Sequence, residues 1–567
     1  MPTPKNIRDF AREFRDTGIP NGQGKPHQGS QFHLDNLATF VSTSTQISDT
    51  FILEKLARLL TGITRQEILL VRILPPDAGE APKEWSPLNS IPFDRFAFAD
   101  QLQKIDDGVM RLFMRVNCHA GERKYLSAML GHCSRFFRHV LVHVSPAAGR
   151  GPVTECVRRA KNSYALVQQA ENSFANYRNY NSWLTKRGKA RRTYLKPVIC
   201  LGDDELPRTQ EDTYVAIGTP AHHYLRDCPP EIHTTRMQLG SEWPGGFGFD
   251  LRRLGREIGG FRIGLALSSG GAKGFAYVGV IQALEENGIE VDMISGCSMG
   301  AYIGSLWAAG HDSRFIRDKA MELSGRWGRW KLIDPVFPPR RGFIGGEKIK
   351  KLLGKSIGTA HFCDMLRPLR VVATNLATLE RKVFDSGEVA TAVHASSAIP
   401  GVCAPVTIDN EDYVDGGVVD PLPVDLLRAE GIERVIAVNT VPTHNLLRQT
   451  RERDLRLQAK LAKRPWWKRI FNQQFNYFAN GNILDIIQQC FTGAQIPNAE
   501  EACRNADVVI RPINIEGSWH DFNRPRKYIA LGRRMTSELL PELKALTKPM
   551  ENRHEYQTID HSMATAA

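Results

Sequence analysis

The sequence predicts a two-domain α/β protein in which each domain surrounds a mainly parallel β-sheet with helices. Short apolar runs of strand length alternate with helical stretches along much of the chain, which is typical of α/β layers. Glycine-rich turns follow two of the predicted strands, and in parallel sheets such turns lie at the edge where ligands bind. The length of 567 residues is also sufficient for several domains.

The first predicted domain covers residues 36–238 and follows a polar stretch, residues 1–35, that we interpret as a flexible arm. Its predicted elements are a helix over 51–60 and strands over 68–73, 140–144 and 164–167. Residues 239–260 contain a proline and several glycines, and we predict that they form a linker.

The second predicted domain covers residues 261–440. Its predicted strands are 262–267, 291–294, 371–375 and 435–439, and its predicted helices are 275–286 and 301–309. Residues 441–548 are predicted to form a basic segment followed by a helical region with a closing strand, and residues 549–567 a loose tail.

Composition and charge narrow the class of protein. Hydrophobic residues make up 42% and charged residues 24% of the chain, which fits a globular protein and excludes a fibrous one. No uncharged run is apolar enough to predict a membrane span. The net charge is +13, and the excess is concentrated in residues 101–200 and 446–472. These segments indicate either anionic partners, namely phospholipid headgroups or nucleic acid, or an ordinary solvated basic face.

The cysteines and the N-terminus indicate a cytoplasmic protein. The 10 cysteines include no CxxC pair, so we expect reduced thiols and neither a disulfide framework nor a zinc site. The first residues lead into a polar segment that lacks the apolar core of a signal peptide.

The segment Gly296-Cys297-Ser298-Met299-Gly300 matches the G-x-S-x-G pattern of a nucleophile elbow. A serine nucleophile needs a tight turn between a strand and a helix, and flanking glycines remove the side chains that would collide there. The helix that follows directs N–H groups towards the site and favours a developing oxyanion.

A second glycine-rich turn, Ser269 to Gly274, lies one βα unit before the elbow. In a parallel sheet both turns lie at the same edge, where the backbone N–H groups of Gly270, Gly271 and Ala272 would form an oxyanion hole. The alternative is a phosphate-binding loop. The turn lacks the GK[ST] of a P-loop, and Ser269 replaces the first glycine of the dinucleotide fingerprint.

Asp415, followed by Gly416 and Gly417, ends a third strand-like run. Such a motif is usually an ordinary turn. It indicates a functional site only in combination with the elbow and the glycine-rich turn.

These three motifs, in this order, resemble the patatin-like phospholipase family, and the resemblance covers about residues 262–440. It extends to residues 372–385, 395–405 and 415–424, and the closing strand of bacterial members is similar to 506–512. The resemblance implies an α/β/α sandwich with a mainly parallel sheet. It also implies a Ser-Asp dyad, with Ser298 as the nucleophile and Asp415 as the general base.

Two positions depart from the family pattern. Ser269 stands where the family usually has glycine, although Gly270 and Gly271 remain, and His394 stands where many members have arginine. A competing mechanism is an α/β-hydrolase triad in the order Ser…Asp…His, for which His520 is the best candidate. Its polar surroundings favour a surface histidine instead.

The first domain resembles a P-loop ATPase of the ParA/MinD type in the placement of its first elements. Residues 40–60 correspond to the first strand, loop and helix, and a comparable degenerate domain precedes the catalytic domain in the neuropathy-target-esterase branch of the family. Residues 42–50 contain neither glycine nor lysine, so they can form no phosphate cradle. We therefore predict a scaffold or regulatory domain without nucleotide hydrolysis.

Residues 463–471 combine four cations with two tryptophans, which is typical either of a membrane-docking segment or of a loop packed on its domain. Residues 186–192 are a second basic candidate. No nucleic-acid-binding module accompanies either segment, so we expect no nucleic-acid partner.

The expected protein is thus a cytoplasmic acyl hydrolase of phospholipids or lysophospholipids that contacts the inner membrane face and needs no metal or cofactor. A non-catalytic binding protein is the alternative.

Overall fold

The computed structural model describes residues 34–44, 47–74, 102–116, 120–187, 194–202, 205–228, 246–324, 334–338, 340–461, 483–513 and 521–548. These residues fall into two compact units that divide between Gly260 and Phe261, the residue at which the sequence predicted the second domain to begin. Each unit contains its own eight-stranded sheet. Most of the predicted arm, segment 463–471, His520 and the C-terminal tail lie outside the described residues.

The sheet of the first unit has the strand order β3-β4-β2-β5-β1-β6-β7-β8, and all neighbours are parallel except the pair β3 and β4. The strands are β1 Leu34–Ser42, β2 Ile68–Leu74, β3 Gln103–Asp106, β4 Val109–Arg115, β5 His139–Val144, β6 Ala160–Gln168, β7 Lys196–Cys200 and β8 His223–Leu225. The helices are α1 Asp49–Thr64, α2 Ala120–Phe136, α3 Arg150–Arg159, α4 Glu171–Arg187, α5 Gln210–Ile217 and α6 Gly246–Gly259.

The interval 239–260 is not a linker throughout, because residues 246–259 form α6. The apolar side chains of Phe247, Leu251 and Leu254 are buried in the same core as Leu56 of α1. The glycines that suggested a linker are tolerated because tertiary burial of an apolar face outweighs weak helix propensity.

The sheet of the second unit has the order β13-β14-β11-β10-β9-β15-β16, with β12 also paired to β11. Strands β11, β10, β9, β15 and β16 are parallel neighbours, whereas β12, β13 and β14 pair antiparallel. The strands are β9 Ile263–Leu267, β10 Met293–Cys297, β11 Leu369–Asn375, β12 Arg381–Phe384, β13 Val406–Ile408, β14 Glu411–Asp415, β15 Arg434–Val438 and β16 Val508–Ile510.

Ten helices surround this sheet in the described residues of the second unit. They are α7 Ala276–Glu286, α8 Met299–Ala308, α9 Ser313–Glu322, α10 Glu347–Ile357, α11 Val389–Ser396, α12 Val424–Ala429, α13 His444–Leu461, α14 Ile483–Arg504, α15 Pro525–Glu538 and α16 Leu540–Leu546. No helix in the described part of the chain combines the length and the apolar character needed to cross a membrane.

Alternate residues of the central strands face different helix layers. Leu265 and Leu267 of β9 belong to a core shared with α7, α8 and α15, whereas Ala266 belongs to a second core shared with α12. This period of two is what a sheet covered on both faces requires. The predicted α/β fold, with a mainly parallel sheet in each unit, is confirmed.

Helices α7 and α15 pack closely at two glycines. A Cβ atom placed on Gly279 would overlap the backbone oxygen of Ile529, and one placed on Gly532 would overlap the backbone oxygen of Ala276. The two helix backbones therefore touch without intervening side chains.

We predict that Gly279→Ala lowers the free energy of unfolding by about 2 kcal/mol or more, since a backbone must shift to admit the methyl group. Gly354→Ala in α10 is the matched control because nothing lies within 4 Å of its Cβ position. It should stabilise the protein by about 0.5–1 kcal/mol through helix propensity. Urea unfolding measures both, and equal effects of the two variants would contradict the close packing.

Candidate active site

Ser298 lies at a strained turn between β10 and α8. Its backbone has φ 54° and ψ −121°, a conformation that L-residues rarely adopt. A Cβ on Gly296 would lie 2.7 Å from the backbone nitrogen of Ala301, and one on Gly300 would overlap the backbone oxygen of Leu267. Both flanking positions therefore require glycine, as the elbow motif predicted.

A hydrogen-bond relay fixes the turn. The Ser298 N–H donates to Ser396 Oγ at 2.9 Å, and the Ser396 hydroxyl donates to the backbone oxygen of Val372 at 2.6 Å. Ser396 is fully buried at the end of α11. The sequence analysis assigned no role to this residue. Its position within the family-like segment 395–405 was the signal available.

Asp415 ends β14 and lies beside the elbow. Its Oδ1 accepts a hydrogen bond from the Gly417 N–H at 2.7 Å, and the Cys297 thiol lies 3.7 Å from the same oxygen. Its Oδ2 has no hydrogen-bond partner among the residues that the structure describes. Asp415 is 1% exposed and Ser298 is 4% exposed, so both side chains are shielded from bulk solvent.

Burial raises the pKa of Asp415 to about 6, since a charged carboxylate is poorly solvated there. Ser298, Gly417 and Cys297 oppose this rise. The Ser298 hydroxyl is near enough to Asp415 to lower its pKa, although the two do not meet the geometry of a full hydrogen bond. The carboxylate is therefore a much stronger base than a solvated aspartate.

The glycine-rich turn is held by a buried cluster of hydroxyl groups. The Tyr277 hydroxyl lies 2.6 Å from the backbone oxygen of Ser268 and 2.7 Å from Thr440 Oγ1. A Cβ on Gly270 would overlap Thr440 Oγ1, so the turn approaches this residue too closely for any side chain. Among the described residues, the N–H groups of Gly270 and Gly271 have no hydrogen-bond acceptor.

One small cavity brings the predicted site residues together. Ser298, Asp415, Gly270 and Gly271 line it, and its volume is about 30 Å³. Such a volume is sufficient for a water molecule beside the two side chains. Ala272 does not line it, because its side chain is buried in the core.

One wall of the cavity was not predicted from the sequence. It is formed by residues of α14, which therefore covers the site: Gln488, Phe491, Thr492 and Gln495. Gln495 is 5% exposed, and its amide nitrogen has no hydrogen-bond partner.

Lys273 also lines the cavity. Burial lowers the pKa of its amine to about 8. In the described part of the chain it forms no ion pair, so an unpaired amine and the Asp415 carboxylate line the same cavity.

In the first unit, an internal carboxylate occupies the corresponding edge of the sheet. Asp49 begins α1, and its Oδ2 accepts a hydrogen bond from Ser42 at 2.9 Å and lies 3.1 Å from His143 Nε2. Arg72 lies 3.6 Å from its Oδ1. Burial alone would raise the pKa of Asp49, but His143, Ser42 and Arg72 hold it well below its usual range.

Three side chains of the first unit have the composition of a metal site. The ligand atoms of His222, His223 and Glu257 lie within 4.8 Å of one another. However, Lys196 Nζ lies 2.7 Å from Glu257 Oε1, and the Arg253 Nε–H donates to His223 Nδ1 at 3.1 Å. The proton of His223 is therefore on Nε2, which faces Glu257. The protein's own cations neutralise Glu257, so the cluster fits an ion-pair network better than a metal site.

Comparison with known proteins concerns mainly the second unit. Residues 265–428 match the family model "Patatin-like phospholipase". Lysophospholipase NTE1 of Cryptococcus neoformans is 31% identical over 240 residues, which are 42% of this chain and 14% of that protein. Lysophospholipase NTE1 of Saccharomyces cerevisiae is 32% identical over 191 residues, which are 34% of this chain and 11% of that protein. The chain thus matches only a small part of the length of these relatives.

Among solved structures, a ParA family ATPase from Chlorobium tepidum TLS is similar with a TM-score of 0.29 and 12% identity. The similarity covers 35% of this chain and 85% of the ATPase. A TM-score this low does not establish a shared fold, so the ParA/MinD resemblance of the first unit stays a prediction.

We predict that the protein binds no ATP at residues 42–50. The loop has no lysine or glycine, and Asp49 places a negative charge beside the position that a phosphate would need. Titration of the full chain with fluorescent ATP and magnesium should give no saturable binding up to millimolar nucleotide. Micromolar binding that Asp49→Lys alters would contradict this interpretation.

Proposed function

The second unit contains a patatin-like phospholipase domain, and from this premise we propose that the protein is a serine acyl hydrolase of phospholipids or lysophospholipids. The observation that carries the proposal is the pairing of Ser298, on its strained elbow, with the buried Asp415 at a single cavity. An exposed turn of the same sequence would have neither the strain nor the raised pKa.

In the proposed acylation step, Ser298 Oγ attacks the ester carbonyl and transfers its proton to Asp415. The unpaired Oδ2 is the oxygen available to accept this proton. The carbonyl oxygen becomes an oxyanion, which the N–H groups of Gly270 and Gly271 stabilise. The tetrahedral intermediate then expels the alcohol, which takes up the proton, and an acyl-serine remains.

In the proposed deacylation step, Asp415 accepts a proton from a water molecule that attacks the acyl-serine. The fatty acid leaves as Ser298 Oγ recovers its proton. With a pKa of about 6, Asp415 is largely ionised at neutral pH and remains basic enough for both steps. Among the described residues no histidine lines the cavity, so the structure offers no support for a triad.

The substrate class is inferred from charge and from the relatives. Lys273 places an unpaired cation at the cavity, which favours an ester with a nearby negative group such as a phosphodiester. The two relatives that are similar to part of this chain are named lysophospholipases. We therefore propose phospholipid or lysophospholipid esters over neutral glycerides, with no metal or cofactor in the reaction.

We further propose that the protein works in the cytoplasm and contacts the inner membrane face. The nine cysteines of the described residues have free thiols, in keeping with a reducing compartment. Segment 463–471, with four cations and two tryptophans, remains a candidate for membrane contact.

Hydrolysis by the purified protein tests the proposal. Lysophosphatidylcholine, phosphatidylcholine and monoacylglycerol of equal chain length should be compared for release of fatty acid. We expect hydrolysis of at least one phospholipid and weaker activity on monoacylglycerol. Activity on none of them would exclude the proposed function.

We predict that Ser298→Ala and Asp415→Asn each lower ester hydrolysis by at least 1,000-fold, and that the double variant is no worse than either single variant. Asp415→Asn should also remain folded. Because burial raises the pKa of Asp415 from 3.8 to about 6, its ionisation costs the folded state up to about 3 kcal/mol at pH 7.5, which the neutral amide avoids. Thermal unfolding at pH 7.5 should show no loss of stability. Ser298→Ala with wild-type activity would eliminate the mechanism.

We predict an acid limb in the pH profile of kcat/KM with a midpoint near pH 6. The base must be ionised, and burial raises the pKa of Asp415 to about 6. Below this pH the rate should fall about tenfold per pH unit. The profile is measured with a soluble p-nitrophenyl ester. An acid limb centred near pH 4 would mean that Asp415 is solvated during catalysis.

A further inference from the structure

Exposed apolar side chains of the second unit are concentrated around the candidate site. The well-exposed large hydrophobic residues among its described residues are Val336, Phe337, Phe343, Leu376, Leu379, Leu447, Ile486 and Ile487. All of them lie on segments at the carboxyl edge of the sheet, where Ser298 is found. Single exposed hydrophobic residues need no explanation, but their confinement to one edge does.

The most exposed of them is on a hairpin next to the cavity. Phe337 is 95% exposed, and the hairpin arms are joined by a hydrogen bond from the Val336 N–H to the Phe343 oxygen at 3.0 Å. The second arm pairs with the loop that forms one wall of the site, through a hydrogen bond from the Phe343 N–H to the Val402 oxygen at 2.9 Å. Ile399 of the same loop lines the cavity.

The covering helix continues this surface. A Cβ atom on Gly401 would lie 3.6 Å from the side chain of Ile487, so the start of α14 packs beside the same loop. Ile486 is 53% exposed next to it. Residues on one face of α14 line the cavity while these two remain in solvent.

The turn between β11 and β12 adds a third group of exposed apolar side chains to this surface. Leu379 is 63% exposed, and the N–H of Leu376 donates to the Asp412 oxygen at 2.8 Å. The Asp412 carboxylate in turn forms an ion pair with Arg341 of the hairpin. We call the surface formed by Val336, Phe337, Phe343, Leu376, Leu379, Ile486 and Ile487 the apolar rim.

Cations accompany the apolar rim. Arg340 is exposed on the hairpin close to Phe337 and Lys382 is exposed next to Leu379, and among the described residues neither forms an ion pair. Arg341 and Arg381 are exposed as well, but Asp412 pairs with the first and Asp420 and Asp425 pair with the second. Aromatic and aliphatic side chains flanked by arginine and lysine match the chemistry of a bilayer interface that contains anionic lipid.

We infer that the apolar rim is the surface by which the protein inserts into an anionic phospholipid bilayer. The inference rests on the proposed function, because a lipid hydrolase must bring its site to the lipid surface. Phe337 and Leu379 enter the acyl boundary, and the neighbouring Arg340 and Lys382 contact phosphate groups. The hairpin and the start of α14 pack on the loop that lines the cavity, so insertion brings the site to the lipid surface.

Vesicle co-sedimentation tests this inference in a Ser298→Ala background, where no lipid is hydrolysed. Vesicles of phosphatidylcholine with 0 or about 30% phosphatidylserine are compared, the latter to engage the cationic groups. We expect Phe337→Ser/Leu379→Ser to weaken binding to anionic vesicles at least tenfold. Leu206→Ser/Val215→Ser is the matched control, because these first-unit side chains are 78% and 83% exposed. It should bind as the parent does.

Two results would overturn the inference. If the rim variant binds vesicles as its parent does, the protein contacts the membrane through another surface. This holds whether or not Trp466→Ala/Trp467→Ala abolishes vesicle binding. Unchanged vesicle binding with a shift from dimer to monomer in sedimentation velocity would make the rim a contact between copies of the chain.

A separate measurement distinguishes failure of the proposed function from failure of the docking inference. With Ser298 intact, the rim variant should hydrolyse a soluble p-nitrophenyl ester at the wild-type rate. A wild-type protein that hydrolyses no ester but binds vesicles through the rim would refute the proposed function and leave the docking surface in place.

Discussion

The arrangement of the site in the second unit depends on one backbone conformation, that of Ser298. The turn at this positive φ brings the backbone of Ala301 and of Leu267 so close that only glycine fits at positions 296 and 300, and it directs the Ser298 N–H into the protein, where an acceptor is needed. Ser396 supplies the acceptor and is itself held by Val372 of the neighbouring strand. The strained turn, the buried strands and the helix that begins after Ser298 therefore form one unit. A change at Ser396 would alter the proposed nucleophile, Ser298, through its backbone N–H alone.

Each unit has a buried carboxylate at the edge of its sheet, and the surroundings have opposite effects on the charge of the two carboxylates. Asp49 in the first unit is surrounded by Ser42, Arg72 and His143, which stabilise its charge. Asp415 in the second unit has no cation as a hydrogen-bond partner and keeps one oxygen unpaired. The first arrangement favours a permanently ionised, structural group. The second destabilises the charge, which is the condition under which a carboxylate accepts a proton readily at neutral pH.

The sequence was sufficient to predict features determined by local geometry. The elbow at Ser298 and the turns at Gly270 and Asp415 are short motifs whose defining residues are neighbours in sequence, so their pattern can be recognised although the contacts that require the glycines come from elsewhere. Both α/β sheets were also predictable, because buried parallel strands appear as uninterrupted apolar runs.

Features that depend on contacts distant in sequence were not predictable. Helix α6 was misinterpreted as a linker because its glycines are compensated only by packing against α1. The role of Ser396 appears only when α11 is placed beside β10. The cover of the cavity by α14 was missed for the same reason, since nothing in the local sequence of Gln495 relates it to Asp415.

The position of Pro497 in α14 ties the cover of the site to the core of the second unit. Proline has no N–H to donate to the preceding turn, so the helix loses one hydrogen bond at this point. Gln495 and Ile496 just before the proline and Ala499 just after it are buried, whereas Ile486 and Ile487 at the start of the helix are exposed. The lost hydrogen bond therefore lies in the anchored stretch of α14. A substitution that restores it would act on the cover of the cavity and on the core at the same time.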